Sequence, residues 1–122
     1  MASMEVKNFD SPDETRSFEG KGQAEVLNIG GQVVGRATFE PGWKWSENVK
    51  PIAQTDSCQV EHFGYCTQGE MTVHMDDGSE STIRSGDFFH IAPGHDAWVD
   101  GDEACRMIDT GGLEHYAKAP DS

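Results

Sequence analysis

Positive charge is what this sequence most lacks: nine Lys and Arg stand against 22 Asp and Glu, a formal net charge of −13 over 122 residues. Such a surface repels phosphate backbones and anionic headgroups, so neither nucleic acid nor a membrane is expected as a partner. Cysteine is scarce and odd in number, with Cys58, Cys66 and Cys105 and no C-x-x-C pair. That argues against a disulfide scaffold or a zinc ribbon, and free thiols in a reducing cytoplasm are the expectation. No apolar run approaches spanning length, and the start carries no signal-peptide pattern. Met1-Ala2-Ser3 reads as an expression remnant ahead of Met4 and carries no fold information. Helical periodicity is also missing, since no stretch supports three turns.

What is present suits short strands. Gly is frequent, at 14 residues, while the hydrophobic share is 35%. The β-prone runs are Ala24–Ile29, Gln32–Glu40, Ser57–Thr67, Glu70–Met75, Glu80–Arg84, Asp87–Ile91, Ala97–Val99 and Ala104–Asp109. Turn residues separate them, among them Gly30-Gly31, Pro41-Gly42, Asp77-Gly78 and Pro93-Gly94. In Glu70–Met75, Met71, Val73 and Met75 take one face, Thr72 and His74 the other. Eight such strands predict an all-β fold, a small antiparallel barrel or jelly roll with at most a short C-terminal helix over Leu113–Lys118. Three parts are expected: an arm over 1–22 that adds at most an edge strand, a barrel over 23–112, and a tail over 113–122.

From Pro41 to Asp109 the chain resembles the cupin superfamily. Its first motif, G-x5-H-x-H-x3,4-E-x6-G, lies over Gly42, Asn48, Lys50, His62 and Gly69, with residues 51–57 as an inserted loop. The second, G-x5-P-x-G-x2-H-x3-N, lies over Gly86, Pro93, Gly94 and Ala97. The stretches Pro41-Gly42-Trp43-Lys44-Trp45-Ser46 and Pro93-Gly94-His95-Asp96-Ala97-Trp98 are similar to a group of small bacterial cupins of poorly defined function, in which His commonly stands at position 48.

The resemblance implies a barrel-interior metal site of three imidazoles and a carboxylate, and this chain offers Asn48, Lys50, His62 and Ala97 at those positions. A protonated Lys, an amide and an alanine leave one good ligand, so no cofactor is expected at the motif positions. A divalent ion (Zn, Mn, Fe, Ni or Cu) enters only through a relocated site. Strand alternation, if regular, puts Cys58, Gly64 and Cys66 on the face of His62. Cys58 and His62 would then be half of a soft site with His95 as a third ligand; otherwise the thiols are small buried hydrophobes.

As catalytic groups, His62 and Lys50 form the candidate acid–base pair. Asn48, Cys58, Trp98 and Trp45 are candidate ligand-binding residues, the tryptophans as flat apolar walls or as plugs of the barrel ends. His74, His90 and His115 read as surface residues, and Asp56 and Glu61 as solvated charges. Three functions follow. One is a cavity binding a small polar or anionic metabolite, with isomerase- or lyase-like proton transfer. The others are a non-catalytic binding or sensing module, a metal enzyme with the relocated Cys/His site being a variant of the first, and a structural dimerisation unit. A homodimer is the default assembly.

Overall fold

Period-two alternation makes antiparallel strands, and nine of them form within residues 3–111, the part that the computed structural model describes. In chain order they are β1 (Glu14–Ser17), β2 (Gly22–Ile29), β3 (Gln32–Phe39), β4 (His62–Gln68), β5 (Glu70–Met75), β6 (Glu80–Arg84), β7 (Phe88–Ile91), β8 (His95–Val99) and β9 (Cys105–Gly111). Two one-turn helices, α1 (Trp45–Asn48) and α2 (Lys50–Ala53), separate β3 from β4. The strands make a six-stranded sheet in the order β1-β2-β3-β9-β4-β7 and a three-stranded sheet in the order β6-β5-β8. All pairings are antiparallel. This is the expected jelly roll, and its interior lies between the sheets.

Local chemistry sets the register. Ile29 pairs with Gln32 across Gly30-Gly31, whose φ values of 56° and 76° suit a two-residue turn that matches strand twist. From the larger sheet Ala37, Cys66 and Met107 point inward; from the smaller one Met71, Val73, Ala97 and Val99 do. One end of the core is aromatic, with Phe39 4.4 Å from Trp43 and 5.4 Å from Phe18, between ring centroids.

Three features differ from the sequence reading. The arm supplies the edge strand β1, as allowed, but it also sends Phe18 into the core at 5% exposure. The run Ser57–Thr67 is not one strand: β4 begins only at His62, and Cys58 forms an isolated bridge with His95 instead. Residues 45–53, for which no regular element was expected and whose end from Pro51 was read as an inserted loop, form the one-turn helices α1 and α2. The C-terminal helix, the tail and His115 lie outside the described residues. Among the described residues no helix is long and apolar enough to cross a membrane.

Phe18→Ala is expected to lower stability by about 3–5 kcal/mol, the usual cost of a buried aromatic, whereas Met4→Ala, at a site 88% exposed, changes nothing. Urea unfolding measures both. Equal midpoints for the two variants would detach the arm from the core.

Candidate metal centre

Three strands and one loop bring their inward residues to a common point. In β8 the inward positions are His95, Ala97 and Val99; in β4 they are His62, Gly64 and Cys66; in β9 they are Cys105, Met107 and Asp109. Cys58 joins them through backbone pairing: its N–H donates to the His95 carbonyl at 2.7 Å, and its own carbonyl accepts from Gly94 at 2.7 Å. Cys58 and His95 are therefore cross-strand neighbours.

His62 meets Asp109 because the β4–β9 ladder is irregular. Phe63 pairs with Gly111 and Gly64 with Asp109, which leaves Thr110 as an extra residue on β9. Bulges of this kind re-aim side chains. Gly64 permits the close approach, since a Cβ there would lie 2.1 Å from the Ile108 carbonyl oxygen.

The hydrogen bonds define both imidazoles. A carboxylate only accepts, so His62 Nδ1–H donates to Asp109 Oδ2 at 2.6 Å. Asp109 Oδ1 in turn accepts from the Gly111 N–H at 3.0 Å. A carbonyl also only accepts, so His95 Nδ1–H donates to Ala92 at 2.9 Å. Each ring thus keeps Nε2 for the interior. His62 Nε2 lies 3.7 Å from Cys58 Sγ, and the ligand atoms of Cys58, His62 and His95 all fall within 4.8 Å of one another, every one of the three residues being buried.

These contacts shift both partners. Burial pushes the Cys58 thiol up, but hydrogen bonds from His62 and His95 outweigh it and bring it to about 6. Burial pushes His62 down, but Asp109 and then Cys58 hold its proton, raising it to about 9. Both shifts favour a thiolate beside an imidazolium in protein without metal, and the two groups titrate as a pair. Cys66 and Cys105 behave oppositely, since burial pushes both thiols up. Cys66 is thus the small buried hydrophobe that the sequence suggested, and Cys105 is buried in the same way, while Cys58, read alike with Cys66, stands apart.

Beside the cluster lies a cavity of about 40 Å³ with Trp43, Trp45, Met71 and Phe89 in its walls. Among the described residues its titratable lining is His62, His95 and Asp109. That volume holds an ion with a water-sized ligand, well below the ~300 Å³ at which metabolite pockets start.

The expected site residues divide accordingly. His62, Cys58 and His95 converge, and Trp45 lines the cavity. Lys50 does not, since it opens α2 and is not part of the cavity wall. The physical reason is that residues two apart share a face only in a strand, whereas here Asn48 ends α1 and Lys50 begins α2, with the non-helical Val49 between them. Asn48 is buried but occupied, with Nδ2–H donating to the Glu19 carbonyl at 2.7 Å and Oδ1 accepting from the Lys44 N–H at 3.0 Å. It ties the arm to α1. Trp98 takes the other face of β8, 5.5 Å from Lys44 Nζ and 6.3 Å from His74 between ring centroids. His74 and His90 are exposed and paired with Glu80 and Glu61, as a surface role predicts. Asp109 was missed. The available signal was an acidic residue in phase with Cys105 and Met107 on one strand.

Residues 35–111 match the family described as the cupin domain. No curated protein matches the sequence. Among solved structures the chain is similar to a polyketide cyclase from Streptomyces resistomycificus, with TM-score 0.61 and 16% identity over 88% of this chain and 78% of that one. It is similar to a sugar phosphate isomerase of the cupin superfamily from Silicibacter pomeroyi, with TM-score 0.57 and 21% identity over 87% and 75%. A protein of unknown function from Vibrio parahaemolyticus gives TM-score 0.58 and 16% identity over 80% and 96%. At these identities the likeness is one of fold.

In metal-free protein the Cys58 thiolate is expected to appear, by its ultraviolet absorbance, with a midpoint near pH 6. Asp109→Asn removes the charge that keeps His62 protonated, so the midpoint should rise, by about one unit or more. An unchanged midpoint would show that Asp109 does not act on Cys58 through His62.

Proposed function

The chain belongs to the cupin domain family, and from that premise we propose that it is a metal-dependent cupin whose ion is held by Cys58, His62 and His95. One observation carries this reading: both imidazoles have Nδ1–H committed to an acceptor, Asp109 or the Ala92 carbonyl, while Nε2 is left beside the Cys58 sulfur. Acceptors of this kind fix the tautomer and raise the basicity of metal-ligating histidines. One thiolate with two imidazoles suits zinc or copper and is a poor set for magnesium or calcium. Three protein ligands beside a small cavity correspond to a centre with an open position, the catalytic pattern.

A bound ion would supply Lewis acidity toward a small ligand. The chain's own groups do the rest. Asp109 holds the His62 proton at Nδ1, the Ala92 carbonyl orients His95, and Trp43, Trp45 and Phe89 keep bulk water from the cluster. No Lys or Arg lines the cavity among the described residues, so the positive charge an anionic metabolite would meet here is that of a bound ion or of protonated His62, not that of Lys50. The neighbours named as a cyclase and an isomerase bring their fold to this chain and not their substrates.

A second reading has its own support in the chain Asp109–His62–Cys58, at 2.6 and 3.7 Å. Without metal these groups form an activated thiol with a protonated imidazole as its partner, which gives His62 the part of a proton donor rather than the general-base role first expected.

Elemental analysis separates the two. Protein purified under reducing conditions should hold one zinc or copper per chain, and lose it in Cys58→Ser, His62→Ala and His95→Ala while Lys50→Ala keeps it. Cobalt substitution should give a thiolate charge-transfer band that Cys58→Ser abolishes. Saturating metal should also raise the melting temperature, since about 2.7 kcal/mol accrues at a hundredfold excess over Kd. A metal-free protein that takes up no added zinc or copper would leave the activated-thiol reading in its place.

A further inference from the structure

The two sheets part between β6 and β7, the end strands of the smaller and the larger sheet. A groove of about 560 Å³ runs there, inside the range of roughly 300–1,000 Å³ typical of small-molecule sites. It is more than ten times the volume of the inner cavity, and the two share a wall: Phe89 and Ile91 line both. Ala92, the next residue along, also lines the groove, and its carbonyl is the acceptor that orients His95. The groove therefore adjoins the buried centre through two side chains and one hydrogen bond.

We propose that this groove binds the body of the molecule on which the centre acts, and that a terminal group of that molecule reaches the centre between Phe89 and Ile91. The inference rests on the reading of Cys58, His62 and His95 as the working site. The inner cavity is too small for a metabolite, so a substrate of any size needs room elsewhere, and the groove supplies it.

The lining states the ligand's chemistry. Val73, Met75 and Ile83 make an apolar floor beside Phe89, and Glu80 and Asp87 bring negative charge to the rim. No Lys or Arg lines the groove among the described residues, and the net charge of −13 adds to the same sign. Such a site favours an apolar body with a positively charged end and disfavours a carboxylate or phosphate. The ligand class is an aryl or alkyl ammonium compound.

Two measurements test this without turnover. In methyl-labelled protein, with and without zinc, benzylammonium should shift the Ile83, Ile91 and Met75 signals saturably, and benzoate should not. In metal-free protein, alkylation of Cys58 by iodoacetamide, followed by peptide mass spectrometry, should quicken about tenfold in Phe89→Ala and slow by a similar factor in Ser81→Trp, which narrows the groove. Ile91→Ala provides a second opened wall should Phe89→Ala fold poorly. Unmoved methyl signals, equal shifts with benzoate, or alkylation rates indifferent to the wall and groove variants would each overturn the proposal. Failure of the metal reading is seen separately: missing metal with intact shifts and rates removes the ion and leaves the groove, while bound metal with no groove response removes the groove alone.

Discussion

The short antiparallel bridge between Cys58 and His95 is the contact on which the site depends. Three backbone hydrogen bonds make it: Cys58 N–H to His95 at 2.7 Å, and Gly94 and His95 N–H groups to Cys58 at 2.7 and 3.2 Å. It closes the long connection that runs through α1 and α2 back onto the head of β8, so residues 51–57 end as a seated segment. Ser57 reinforces the seat, its hydroxyl donating to Asp76 Oδ2 at 2.7 Å. The bridge sets a thiol and an imidazole side by side through main-chain geometry, so neither side chain's orientation relies on the other. The bulge in β4–β9 then delivers the third ligand with its carboxylate.

Burying four polar groups together is costly unless each has a partner. Here the partners form a closed set. Asp109 accepts from His62 and from main-chain N–H groups, His95 donates to Ala92, and the sulfur faces imidazole nitrogens. A cation added to this set would meet one thiolate and one carboxylate at the second remove, which neutralises charge in an apolar surrounding. The remaining cavity wall is hydrocarbon and aromatic, which lowers the local dielectric and strengthens whatever electrostatics act at the open position. The same wall accounts for the small cavity volume: Trp43 and Trp45 are each 2% exposed and fill the interior that a more open barrel would offer to a ligand.

The sequence was most legible where period two and turn chemistry act alone. Gly30-Gly31, Asp77-Gly78 and the alternation in β5 marked their strands because nothing tertiary competes there. It was least legible between Trp45 and Glu61. One-turn helices carry no periodicity that a window can register, and the strand drawn through Ser57–Thr67 placed Cys58 near His62 for the wrong reason. Residues 59–61 break that strand, and the two side chains meet through the bridge to His95. Trp98 shows an opposite failure. Alternation from His95 through Ala97 turns it to the outer face, whereas its large flat ring had suggested a pocket wall. Asp109 was hidden among 22 acidic residues, because one carboxylate on the inner phase looks like any other until its imidazole partner is placed.

The replaced motif positions are therefore poor evidence for a lost centre. Asn48 hydrogen-bonds to the arm and to the start of α1, and Ala97 is an inward residue of the cavity wall. Both serve packing where the motif would place ligands. Lys50 follows from the same change, since it opens α2 whereas Asn48 ends α1, and no strand alternation puts the two on one face. Once α1 and α2 occupy that segment, an inward side chain from the connection comes only farther along the chain, and Cys58 is where the connection pairs with a sheet strand again, after Lys44 with Trp98. His95, the first residue of β8, stands two positions from Ala97 on the same face of that strand. A shift of two keeps an inward direction where a shift of one would lose it. On the proposed reading, relocation along the same faces, with a thiol in place of an imidazole, would change the ion the site prefers while leaving the fold that presents it unchanged.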